Sequence, residues 1–198
     1  MMSSTSKCPN SVYRLLPSLG DFQTVLFGGS LRKIMRWQRT GDSADWPTGI
    51  RAEWDGDPRL RKTEFPSGYP GAPVFSRRIA DVLKNDLSTA GSFVPVLIDD
   101  DETGEYFLYL VEEVVDCLDT RRSSKPKKAD GQIKNAVFRA DVLPVSLPAF
   151  RVPEYRRGVY WNGWAVDRLR ELIGDDLEAR LVWSEDPTLT PHPNPMGL

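Results

Sequence analysis

Histidine is nearly missing from this chain, at one in 198 residues, and cysteine is held to two. Each scarcity removes a class of chemistry. The lone His192 lies in a PHPNP stretch, which gives an imidazole none of the held geometry that a general base needs. Cys8 and Cys117 are far apart, and no C-x-x-C or H-x-x-x-H spacing exists, so a zinc site would need mostly carboxylates. A Ser–His or Cys–His nucleophile pair would require the tail to fold back. The two cysteines are read as free thiols in a reducing compartment. Glycine never falls into a phosphate-cradling pattern: Gly28-Gly29, Gly68 and Gly71 make neither G-x-G-x-x-G nor a lysine-bearing P-loop. No uncharged apolar run approaches the roughly 18 residues of a membrane span. The opening MMSSTSKCPNS is polar and broken by Pro9, unlike an export signal. Basic excess is lacking too: 26 Lys and Arg stand against 28 Asp and Glu, a net charge of −2 without a nucleic-acid footprint. The expectation is a cytoplasmic protein with no cofactor, no metal, no nucleic acid and no membrane partner.

What is present is ordinary globular usage, 40% hydrophobic and 27% charged, in a length that suits one domain. Residues 1–10 read as a flexible leader, 11–184 as a single α+β domain, and 185–198 as a Pro-rich flexible tail carrying Pro187, Pro191, Pro193 and Pro195. Strands are expected at Val12–Leu16, Phe22–Phe27, Phe93–Ile98, Tyr106–Val115, Ala136–Ala140, Phe150–Val152, Val159–Trp161 and Leu177–Trp183. Ile50–Trp54 is expected as a short edge strand inside a Gly- and Pro-rich stretch, 40–73, with Trp46, Trp54, Phe65 and Tyr69 pinning the remainder. Two or three helices are expected. Leu31–Trp37 is capped by Ser30, with Leu31, Ile34 and Met35 on one face and Arg32, Lys33 and Arg36 on the other. The second starts at the Ser76 cap with Ile79, Val82, Leu83 and Leu87 at helical spacing and Gly91 as its stop. The third is capped by Asn162, carries Val166, Leu169, Leu172 and Ile173, and stops at Gly174. The predicted fold class is α+β: a mostly antiparallel mixed sheet of short strands with two or three packed helices.

The stretch Pro73–Asp119 reads PVFSRRIADVL and then SFVPVLIDDDETGEYFLYLVEEVVDCLD. A PVFS-type helix start, a short buried strand, a gE-Y strand and a closing VVD-x-LD follow in that order. With F-R-V-P near Phe150 and VYRLL…D-F-Q near the start, they resemble the immunity-protein family of bacterial polymorphic toxin systems. This is the myxobacterial-type immunity domain first catalogued as a domain of unknown function. The resemblance covers roughly Pro73–Trp183, with an echo at Tyr13–Gln23. It implies a non-enzymatic protein that binds a cognate toxin domain and neutralises it by steric and electrostatic occlusion. The chain departs from the pattern in its basic RRSSKPKK run, its tryptophan-rich 40–70 region and its Pro-rich tail. Its oligomeric state is left open.

The strongest chemical candidate is the acidic run Asp99, Asp100, Asp101 and Glu102. Its spacing lacks the D-x-D-x-D-G of a calcium loop, and a hairpin turn with solvated gatekeeper charges accounts for it as well as a contact patch does. As a contact patch it would speed encounter with a basic toxin surface and reject wrong partners. Trp46 and Trp54 join it as candidate partner-binding anchors, against the plainer reading that they pack as core. Two other functions remain open: a carboxylate-dependent hydrolase or transferase using Asp99–Glu102, and an adaptor whose tail is a polyproline ligand. Arg121–Lys128, with five cations in eight residues, is expected as a solvated, flexible excursion. Glu112 and Glu113 are placed inside a strand, one facing outward. Asp116 and Asp119 are expected to bond turn backbone.

Overall fold

Side chains two apart along a strand share a face, and in this protein both faces are buried for much of the chain. The computed structural model describes residues 9–18 and 20–195, with the Glu102 side chain outside the described atoms. Of the expected leader, residues 1–10, residues 1–8 with Cys8 lie outside the described residues.

Among the described residues, ten strands form two sheets and three helices cover them, an α+β fold. The four-stranded sheet is antiparallel and runs β10 (Leu177–Ser184), β1 (Ser11–Pro17), β9 (Tyr155–Asn162) and β8 (Ala149–Val152). The six-stranded sheet is mixed. Its order is β4 (Arg61–Ser67), β2 (Phe22–Leu26), β3 (Ile50–Asp55), β6 (Gly91–Ile98), β7 (Asp101–Val111) and β5 (Val74–Ser76). β2–β4 and β3–β6 pair parallel. The sheet curls until its two ends nearly meet: Phe65 of β4 and Phe75 of β5 have ring centroids 5.2 Å apart, and Ser76 Oγ donates to Glu64 Oε1 at 3.2 Å.

Three cores follow from the period of two. Tyr109 and Val111 of β7 and Phe75 of β5 point into a central core with Trp161 of β9 and the buried faces of helices α2 (Arg77–Leu87) and α3 (Gly163–Ile173). Leu108 and Leu110 of β7 point the other way, with Val94, Val96 and Ile98, against Ile34 and Trp37 of helix α1 (Ser30–Thr40). On the far side of the four-stranded sheet, Phe150, Val152 and Tyr160 are roofed by Cys117, Leu118, Ile133 and Phe138.

Several elements differ from the sequence expectation for identifiable reasons. Ser30 does not cap α1; Gly29 holds that position, and Ser30 Oγ accepts the Arg51 N–H at 2.9 Å, tying the helix to β3. β3 is interior, flanked by β2 and β6, because β2 pairs antiparallel along the edge that β6 leaves open. β4 was missed because Pro66 and the charged Arg61–Glu64 mask it; it lies at a sheet end, where proline is tolerated. Pro95 sits within β6, but pairing with β3 begins only at Val96. Gly91 begins β6 and does not stop α2; a Cβ there would clash with the Leu110 carbonyl, so the glycine serves strand approach. Val82 of α2 is exposed, and Ala80 takes the buried place. The strand expected to Val115 ends at Val111, and Glu112 and Glu113 are both exposed. Ala136–Ala140 is no strand, contributing only a single bridge, Phe138 to Leu118. Asn162 stands at the α3 N-cap, yet its side chain makes no cap bond; Nδ2 donates to the carbonyls of Pro144 at 2.8 Å and Leu147 at 2.7 Å. Gly174, with φ of 68°, does end α3.

Arg121–Lys128 is folded down. Ser123 N–H donates to Asp119 O at 2.9 Å, Ser124 N–H to Asn135 O at 2.8 Å and Lys127 N–H to Gln132 O at 2.9 Å. The described part of the tail lies along β10, with His192 N–H donating to Leu181 O at 2.8 Å and Pro195 buried. No helix among the described residues is long and apolar enough to cross a membrane.

Because Trp161 contacts Phe75 and Tyr109 across the two sheets, at centroid distances of 6.3 and 5.8 Å, the sheets should unfold together. Trp161→Ala is expected to cost about 3–5 kcal/mol while keeping a single urea transition, and Val82→Ala under about 0.5 kcal/mol. Two separated transitions in wild type, followed by near- and far-UV circular dichroism, would contradict this coupling.

Candidate functional site

The β6–β7 hairpin turns over two residues, and both have positive φ: 52° at Asp99 and 61° at Asp100. That is the type I′ pattern, which favours Asn-Gly or Asp-Gly because Asn and Asp tolerate the first left-handed position and glycine takes the second without a Cβ penalty. Four local contacts hold the tip. Asp99 N–H donates to Ala52 O at 3.1 Å, and its carboxylate accepts the Trp54 N–H at 3.3 Å, so Asp99 stitches the turn to β3. Asp100 pairs with Arg51 at the surface, both side chains well exposed, an interaction of at most about 1 kcal/mol. Asp101 already belongs to β7 and accepts the Thr103 N–H at 3.0 Å; this backbone bond holds its carboxyl below the usual range. The described carboxylates thus face three different donors, so the tip is an exposed acidic point and not a convergent cluster.

A trough of about 740 Å³ lies on one side of the tip, bounded by Asp99, Asp100, Arg51 and Glu53 and by the Phe27–Ser30 turn, with Leu26 exposed at its edge. On the other side a niche of about 210 Å³ is walled by Trp54, Tyr106, Lys62, Asp101 and Glu105. Trp54 meets Tyr106 edge to face at 5.3 Å, and the Lys62 ammonium lies 5.1 Å from the Trp54 ring. Tyr106 donates to Thr63 O at 3.1 Å, and burial pushes its phenol up to about 12, Glu64 and Glu105 adding to the shift. Trp54 therefore sits beside Asp99 and Asp101. Trp46 does not: it lines neither concavity, and its ring packs against Trp37 at 5.2 Å. Asp119 bonds turn backbone as expected, accepting from the N–H groups of Arg121 and Arg122 at 3.1 and 3.2 Å. Asp116 instead pairs with Arg139 at 2.9 Å.

A third concave surface was not foreseen. A cleft of about 630 Å³ opens between α1, the 127–131 turn and the start of β9. Arg32, Arg36 and Arg39 enter it from α1, Lys127 and Lys128 from the turn, and Arg156 and Arg157 from β9, against the carboxylates of Asp130 and Glu154. The spacing i, i+4, i+7 on α1 was the available signal, but nothing in the chain order brings that face opposite the RRSSKPKK run.

Beneath the cleft two arginines are buried. Arg151 donates to Gln38 O at 3.1 Å, Arg156 O at 3.2 Å and Glu112 O at 3.2 Å, and its guanidinium lies 4.7 Å from the Trp37 ring. Burial lowers it to about 10, with Arg156 adding repulsion. Arg14 lies over the Tyr155 and Tyr160 rings at 5.9 and 5.7 Å. Its Nε and Nη1 have no hydrogen-bond partner among the described residues.

Cys117 is fully buried, and burial pushes its thiol up to about 12. Between its ordinary value of 9 and about 12 the unfolded chain carries a thiolate while the folded chain keeps the proton. Stability should therefore fall as pH rises through that window, and Cys117→Ala should flatten the fall. In a Cys8→Ser background, native protein is expected to resist a thiol-reactive disulfide reagent near pH 8 and to react fully in urea. Fast native labelling would contradict the burial. Compared with known proteins, no family model matches the chain and no curated protein matches it, which leaves its own residues as the ground for a function.

Proposed function

We propose that this protein is an immunity protein that binds a basic face of a cognate toxin domain and blocks it by occlusion, presenting the Asp99–Asp101 hairpin tip. The observation that carries the reading is the strain at that tip. Both aspartates hold left-handed backbone; Asp is tolerated at the first position, but Asp100 stands where glycine would fold more easily, at a cost of about 1 kcal/mol. Asp99 is used within the fold, on the Trp54 N–H, whereas Asp100 is exposed and held only by a surface pair with Arg51, so it is the carboxylate placed to meet a partner. Trp54 and Tyr106 on one flank and Leu26 on the other supply aromatic and apolar area for the centre of an interface. A tight complex needs about 800 Å² per partner, so a toxin would have to cover surface beyond the tip and its two flanking concavities. The sequence resemblance supports the same class of function.

The carboxylate-hydrolase alternative needs convergent acids, and the tip's described carboxylates diverge onto separate donors. The adaptor alternative needs a free proline-rich strand, and the tail is tied back at His192, which donates to Leu181 O, and at buried Pro195, while Pro187, Pro191 and Pro193 stay exposed.

The test pairs stability with protection. Asp99→Asn with Asp100→Gly keeps the acceptor for Trp54 N–H and relaxes the turn, so melting should rise by the equivalent of about 1 kcal/mol. The same variant is expected to lose at least about tenfold in affinity for the variable C-terminal domain of a large toxin encoded directly upstream, and to lose growth rescue on co-expression. Rescue undiminished in this variant rejects the tip as the contact, and turnover of a substrate by pure protein rejects occlusion.

A further inference from the structure

The cleft between α1 and the 127–131 turn is a site of its own, remote in character from the acidic tip. We propose that it binds the polyphosphate group of a small anionic ligand. Seven cationic side chains from three separated segments converge there, in a chain whose net charge is −2. Holding so many like charges together is unfavourable unless an anion answers them. Internal acids answer only part of this charge: Asp130 and Glu154 share the lining, two carboxylates against seven cations. Arg36 is paired with Asp45 at 2.7 Å, and Arg157 is spent on the Asp130 carbonyl. The side chains of Arg32, Arg39, Lys128 and Arg156 make no hydrogen bond or ion pair among the described residues. Lys127 reaches only the neutral Gln132 amide oxygen, at 3.4 Å.

The scaffold under these cations is rigid, which a binding site requires. Arg151 bridges the carbonyl of Gln38 in α1 to that of Arg156 in β9, fixing the two walls. The third wall is set by Gly131, at φ of 77°, where a Cβ would lie 3.4 Å from the Tyr155 ring. Buried Arg14 stands behind Tyr155, and neither it nor Arg151 forms an ion pair among the described residues, though the Glu112 carboxylate acts on Arg151 from a distance. Charges buried in low dielectric project their field toward the opening.

Shape and side-chain type narrow the ligand. The volume falls in the range of small-molecule sites, and the apolar floor of Met35, Pro153 and Tyr155 suits a compact ligand over an extended strand. Arginine outnumbers lysine in the lining, and its planar fork matches phosphate oxygens in pairs. Stacking platforms for successive bases are missing from the lining, which carries a single aromatic ring, so a single-stranded nucleic acid is the weaker fit.

The test uses the full chain and three probes by calorimetry in low salt: inorganic triphosphate, ATP and a single-stranded oligonucleotide of about 20 bases. Triphosphate and ATP are expected to bind at one site per chain, about tenfold or more weaker when salt is raised toward 300 mM. Affinity for ATP equal to that for triphosphate places all recognition on phosphate, and tighter ATP adds the apolar floor; both uphold the site. Arg39→Glu with Arg156→Glu, two exposed positions, should abolish binding with melting temperature and circular dichroism unchanged. A charge-matched control, Lys84→Glu with Arg168→Glu on α2 and α3, should leave it intact. Equal loss in the control, no binding by either phosphate probe, or an oligonucleotide bound more than about tenfold tighter than both would overturn the proposal. The tip variant Asp99→Asn with Asp100→Gly should bind triphosphate normally, so failure of one site is distinguishable from failure of the other.

Discussion

Strands buried on both faces are the constraint on which this molecule depends. In β7, Tyr109 and Val111 serve the central core while Leu108 and Leu110 serve the core under α1. In β9, Trp161 serves the first and Tyr160 the outer core beneath Cys117 and Phe138. A slip of one residue would exchange every one of these side chains between cores of different shape, so register is specified with little tolerance. The junction of Trp161 with Phe75 and Tyr109 is where the two sheets share that requirement.

The same arrangement explains how a segment of nearly forty residues without helix or long strand stays folded. Between Glu112 and Pro148 the chain lays Cys117, Leu118, Ile133, Ala136, Phe138 and Leu143 over the outer face of the four-stranded sheet. Backbone groups in this cover are satisfied locally, by turns closed at Asp119, Lys127 and Arg139. The cover in turn carries the lysines that form one wall of the basic cleft.

Charge is sorted across the surface. The hairpin tip and its flanks gather Asp99, Asp100, Asp101, Glu53 and Glu105, while α1, the 127–131 turn and β9 gather arginine and lysine. A net charge near zero conceals this separation. Arg14 and Arg151 show how the fold tolerates buried cations without ion pairs among the described residues: aromatic faces and backbone carbonyls take that role, at a cost offset by the packing of long side chains.

Local signals were enough to place most of the regular structure. Helical spacing found α2 and α3 with Ser76 and Gly174 at their ends, and β-rich runs found β1, β6, β8, β9 and β10. The acidic turn was legible too, because Asp99 and Asp100 sit between two apolar runs. What local pattern could not supply was partnership. Ser30 and Asn162 are good cap residues that bond elsewhere, since Arg51 N–H and two distant carbonyls compete for them. Trp46 and Trp54 look alike in sequence, and only packing sends one to α1 and the other to the hairpin. Composition and periodicity by themselves determined an α+β chain with an acidic hairpin. Tertiary structure alone decided that its sheets share a core and that three separated cationic segments form one cleft, because charge and burial add through space and not along the chain.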